Sequence, residues 1–161
     1  MIGDGGHAKQ LVAEGASRND KLVAIGDNRA RKKEAEAHAG WDGQWDTFVS
    51  FAARFYGRWT LGEGSQVLSG VVVGSGARIG RHCIINHGAT INHDVTIGDF
   101  VHVAPGAQVL GGAQVGEGCF IGANAVVLPN STVPAWVVVR ACSVWPCDYQ
   151  PIGKRKVKCA S

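Results

Sequence analysis

From Leu61 to Val144 an aliphatic residue returns at every sixth position, with no insertion to break the register. Cut at that period, the chain reads LGEGSQ, VLSGVV, VGSGAR, IGRHCI, INHGAT, INHDVT, IGDFVH and onward through fourteen hexapeptides. Every first position is Leu, Ile or Val, and every fifth position is Ser, Val, Ala or Cys. An amphipathic helix repeats at about 3.6 residues and a half-buried strand at two, so neither yields this pattern. A parallel β-helix of hexapeptides does. Each hexapeptide forms one short flat face, the aliphatic stacks inward on its equivalents, and the small fifth residue fits a crowded corner. Six second positions are Gly and two are Asn, residues that tolerate the positive φ of tight corners. Three hexapeptides close one coil, so the repeat predicts between four and five coils of a triangular prism, roughly 22 Å tall at about 4.8 Å per coil.

Outside the repeat, GGHAKQLVAEGA and RARKKEAEAHA read as two helices flanking a Gly-rich turn, IGDNR. Residues 40–60 hold three of the five tryptophans and are expected to cap the open first coil, as terminal units do in repeat proteins. After Val144 both positional rules fail; Trp145 is expected to start a short cap and the remainder to form a loose tail. The expected division is a truncated α/β segment and cap over 1–60, the β-helix over 61–145, and a tail over 146–161.

Composition sharpens this picture in a few places. The repeat accounts for the unusual 23 glycines in 161 residues. A net charge of +3 demands no nucleic-acid partner, and GKRKVK reads as a solvated run. No stretch approaches the roughly 20 apolar residues of a membrane span. The five cysteines form no CxxC pair, and with no signal peptide a reducing cytoplasm is expected. Cys83 and Cys119 fall at fifth positions, where they should be small buried hydrophobes.

Three stretches resemble one family. GDGGHAK (3–9), VAIGDNRARKK (23–33) and INHDVTIGDFVHVAPGAQVLGG (91–112) are similar to the hexapeptide-repeat acyltransferases, and more narrowly to the sialic acid O-acetyltransferase and bacillosamine N-acetyltransferase family of sugar acyltransferases. The resemblance implies a left-handed coil, a homotrimer with active sites between subunits, acetyl-CoA as co-substrate, and a sugar amine or hydroxyl, often nucleotide-linked, as acceptor. It implies no metal. By matching position, His93 corresponds to the catalytic base and Asp94 to its acidic supporter. Asn86 and His102 match the polar surround, and Gly111 and Ala123 match amides that bind the acyl donor. Gly3, Gly5, Gly6 and His7 match the nucleotide-sugar-binding turn. Only Met1 and Ile2 precede that turn, and a phosphate-binding α/β unit needs a feeding strand, so weak nucleotide-sugar binding is expected.

The residues agree with these roles in part. His93 is a third position and His102 a sixth, so both should point outward from the prism. Neutral imidazole suits proton removal from an attacking amine or hydroxyl near pH 7. Adjacent strand residues point to opposite faces, so contact between His93 and Asp94 requires a corner between 92 and 95. His87 shares the third position but matches no family role. Two other readings remain open: a zinc protein similar to the gamma-class carbonic anhydrases, using His82 and His87, and a β-helix without catalysis. The first lacks its third ligand, since residues 40–60 contain no histidine and catalytic zinc takes three protein ligands.

Overall fold

The computed structural model describes residues 1–3, 5–17, 19–40 and 44–146. Seventeen two-residue parallel strands run from β1 (Phe48–Val49) to β17 (Val144–Trp145), each starting six residues after the last. They form three sheets, ordered β1-β4-β7-β10-β13-β16, β2-β5-β8-β11-β14-β17 and β3-β6-β9-β12-β15. These sheets are the first, second and third faces of a left-handed parallel β-helix. Register is constant, with each residue facing its equivalent eighteen positions on, as Thr90 faces Gln108 and His102 faces Phe120. The interior is the column of first and fifth residues, including Val73, Ile91, Val109, Ala107 and Cys119, all fully buried. Burial pushes the Cys83 thiol up to about 12 and raises Cys119 as well, so both behave as the small hydrophobes expected.

Two features of the repeat differ from the sequence expectation. Coiling begins upstream of Leu61, because β1 and β2 (Arg54–Phe55) already pair with β4 (Gln66–Val67) and β5 (Val72–Val73). Trp59, at a fifth position, hides this coil from the positional rule. At the open end it stacks on Phe55 at 4.4 Å and needs no corner pocket. The second difference concerns glycine. Positive φ falls on every fourth position from Gly64 to Cys142, including His82, Asp94 and Asn124. Second-position glycines have ordinary φ and serve close approach instead. A Cβ on Gly62 would lie 2.5 Å from the Gly80 carbonyl carbon in the next coil.

Helices α1 (Gly6–Ala13) and α2 (Asn28–Ala37) fall where the sequence placed them. Asp27 caps α2, accepting the Ala30 N–H at 2.8 Å, which satisfies an otherwise unpaired donor. Before the glycine turn the structure has a single parallel bridge, Ile2 to Val23. This N-terminal lobe lies on the first face through Leu11, Ala24 and Leu68 on one side and Val23, Ala35 and Phe100 on the other.

A buried cation pins the lobe. Arg31 is fully buried, and its guanidinium donates to His82 O, Ile25 O, Gly26 O, Phe100 O and Asn28 Oδ1 at 2.8 to 3.2 Å. Burial lowers its pKa to about 10. A planar five-donor fork fits this ring of carbonyls, whereas an ammonium has three donors on one point. Arg31→Lys is therefore expected to lose about 2–4 kcal/mol, the scale of stranding buried polar partners, in urea unfolding. A change below about 0.5 kcal/mol, typical of a bland surface site, would mean that the apolar contacts alone hold the lobe.

Candidate active site

The corner between β8 (Thr90–Ile91) and β9 (Thr96–Ile97) carries His93 and Asp94. Asp94 adopts φ +58, and this left-handed residue makes the corner that contact between neighbours requires. Its Oδ2 lies 3.0 Å from His93 Nδ1. A carboxylate accepts only, so Nδ1 carries the proton and Nε2 keeps its lone pair. Both side chains are solvent-accessible, at 65% and 72%, so a ligand or a neighbouring chain can reach Nε2.

Gly111 stands one coil above His93, and the two share a column. A Cβ on Gly111 would lie 2.5 Å from His93 Nε2 and 2.6 Å from Cε1, so the ring rests where a side chain would be. The coil below is equally close, since a Cβ on Gly74 would lie 2.6 Å from His93 N. Among the described residues the amides of Gly111 and Ala123 have no hydrogen-bond partner. Ala123 lies on a different corner, between β13 (Phe120–Ile121) and β14 (Val126–Val127).

Asn86 and His102 form a second group, on the first face. Both point out of the prism, yet they are only 7% and 9% exposed. His102 points outward as its position implies, and it is buried because the N-terminal lobe covers this face. His102 Nδ1 donates to Gly26 O at 3.2 Å, and Asn86 Nδ2 donates to His102 Nε2 at 3.2 Å. The ring also meets Phe120 edge-on at 5.1 Å. Burial, then the nearby Arg31 charge, lowers the His102 pKa to about 4. His7, at the start of α1, donates from Nε2 to Gln66 Oε1 at 2.7 Å, and Gln66 Nε2 donates to Val23 O. Burial lowers the His7 pKa too. Gln66 was not anticipated; its sixth position on the first face, aligned with His102, was the available signal.

His87, which matches no family role, has structural partners. Its Nε2 pairs with Glu14 Oε1, and Gln10 Nε2 lies 2.8 Å from its Nδ1. Glu14 also accepts from the Ser69 amide at 3.0 Å. The group ties α1 to the prism. His82, the other half of the suggested zinc pair, stacks on Phe100 at 5.2 Å on another corner. Among the described residues no three metal-ligating side chains converge, and no helix is long and apolar enough to cross a membrane.

A coiled prism of hexapeptides with an exposed, carboxylate-bound imidazole at one corner is the arrangement to compare with known proteins. The family model for bacterial transferase hexapeptide (six repeats) matches residues 60–93 and 94–129. A perosamine N-acetyltransferase from Caulobacter crescentus, solved with CoA and GDP-perosamine, is 33% identical over 89% of this chain and 68% of its own, with a TM-score of 0.76. The chain therefore belongs to the hexapeptide-repeat acyltransferases, in their sugar-acyltransferase branch. PerB from the same organism, also solved with CoA and GDP-perosamine, gives a TM-score of 0.83 at 29% identity, covering 89% and 86% of the two chains. The acetyltransferase domain of PglB from Neisseria gonorrhoeae gives 0.81 at 27% identity, covering 93% and 91%. Comparison with curated proteins returned no match.

The lowered histidines set an acid limit on stability. Between the ordinary value of 6.5 and the folded value of about 4, the unfolded chain takes up a proton that folded His102 refuses. Stability is then full above pH 6.5 and falls as pH drops toward 4; the lowered His7 and His82 add in the same direction. The melting temperature is expected to fall between about pH 7 and pH 5, and less steeply in His102→Gln, as followed by circular dichroism.

Proposed function

We propose that the protein is a homotrimeric acetyl-CoA-dependent N-acetyltransferase acting on an amino group of a nucleotide-linked sugar. The observation that carries this reading is the placing of His93 Nε2 against Gly111 while Nδ1 is held by Asp94. Nε2 takes a proton from the amine as its nitrogen attacks the thioester carbonyl. The Gly111 N–H donates to the oxygen that becomes negative. Collapse of that tetrahedral centre breaks the carbon–sulfur bond, and CoA leaves as the thiol once it is protonated. No acyl-enzyme is needed. Cys83 and Cys119, buried with raised pKa values, are poor nucleophiles.

Several observations support the remaining roles. CoA and GDP-perosamine are bound in the Caulobacter relatives, and acetyl-CoA in the PglB domain. Those proteins are N-acetyltransferases or acetyltransferases, which favours an amine over a hydroxyl acceptor. Gly3, Gly5, Gly6 and His7 open α1 and are assigned to the nucleotide-sugar end. Asn86 and His102, fixed as a neutral polar pair under the lobe, are assigned to the wall around the reacting groups. Gly111 and Ala123 occupy different corners, and a donor lying between two subunits would meet one corner from each; this fits the trimer.

General-base catalysis is typically worth about 100- to 10,000-fold. His93→Ala is accordingly expected to lower CoA release from acetyl-CoA by at least about 100-fold, across a panel of nucleotide-linked amino sugars led by GDP-perosamine. Its oligomer size and melting temperature should stay at wild-type values, because the ring is exposed. Full activity in that variant would sink the assignment.

A further inference from the structure

Gly76 precedes Asp94 by one coil on the same corner and has φ +78. A Cβ there would collide with Asp94 Oδ1 and approach its Cγ to 3.3 Å and its N to 3.4 Å. The Asp94 backbone cannot step aside, because its N–H donates to Ser75 O at 2.9 Å and its own φ is already left-handed. Its exposed carboxylate can. We propose that Gly76 is a positioning residue for acyl transfer: the missing side chain leaves the slot in which the Asp94 carboxylate reaches back to His93 Nδ1. This rests on the reading of His93 as the base.

Similar slots recur along the prism, and what is specific to this coil is that the side chain held is the Asp94 carboxylate. Higher in the same column, Gly112 with φ +69 directs its missing Cβ at Asn130, not at the dyad. On another corner, Gly70 with φ +73 meets only backbone atoms of Gly88, at 3.6 and 3.7 Å. Gly70→Ala therefore imposes the same backbone strain without displacing any side chain. Asn adopts positive φ at 124 and 130 in equivalent positions, so Gly76→Asn fills the slot with less strain than Gly76→Ala.

The first measurement needs no acceptor. Long-range proton–nitrogen NMR of the His93 ring, at about pH 8.5 where free imidazole is neutral, reports which nitrogen carries the proton. Wild type and Gly70→Ala should show Nδ1–H. Gly76→Ala, Gly76→Asn and Asp94→Ala should all move toward the Nε2–H form. In turnover with acetyl-CoA and the best acceptor of the panel, Gly76→Ala should lower kcat about tenfold, within the scale of losing part of a general-base effect. The KM for acetyl-CoA should hold within about twofold, and Gly76→Ala should add less than about twofold in an Asp94→Ala background. An unchanged tautomer in both folded Gly76 variants, or an equal kcat loss with and without Asp94, overturns the inference. Retained activity in His93→Ala would instead overturn the base assignment, and the NMR result for Gly76 would still stand or fall by itself.

Discussion

Everything in this molecule depends on the stacking of identical coils. Backbone bonds between coils, such as Thr90 N–H to Ala107 O at 2.9 Å, force each residue over its equivalent eighteen positions later. Parallel strands normally need long crossover connections; here each connection is a four-residue corner, and the next strand of the same face arrives a full coil later. Sequence thereby becomes a set of vertical columns. One inward column is aliphatic, the corner beside it is small, and each outer column juxtaposes side chains remote in sequence. Glu63, Arg81, Asp99 and Glu117 make one such column, in which Arg81 meets Asp99 at 3.0 Å and Lys32 of α2 meets Glu117 at 2.6 Å.

The candidate site is another column. His93 stands over Ser75 and under Gly111, with Gly74 of the coil below close to its amide, and Asp94 bends back beside it because its position requires positive φ. Here a one-residue neighbour makes the contact with His93 Nδ1, since the corner reverses the direction that an extended strand would impose. The lobe contributes a second, buried set of polar groups whose seam is hydrogen-bonded as much as apolar. Arg31 and Asn28 of the lobe donate to prism carbonyls, and Gln66 and His102 of the prism donate to Val23 O and Gly26 O of the lobe.

The sequence made the prism, both helices and the His93–Asp94 corner legible, because each follows from a period or a turn acting over a few residues. What escaped it was tertiary. His102 occupies an outward position by register, and only the docked lobe explains its burial. His87 offers no local sign of Glu14, which is 73 residues away. The first coil was concealed by Trp59, whose bulk breaks the small-residue rule only where the prism is open. The second-position glycines were visible, but their cause was the neighbouring coil's backbone and not their own dihedral angles.

The columns also constrain which changes in length the chain can survive. Inserting one further eighteen-residue coil after Asn130 leaves Ser75, His93 and Gly111 stacked as before, and alters the height of the prism. Losing one residue between His93 and Gly111 shifts every later column by one place. Gly112 would then stand over the imidazole, and inward aliphatics would turn toward water. Variation in height is thus nearly neutral for the chemistry, while the thirty-odd residues spanning the three coils around His93 admit substitution far more readily than insertion.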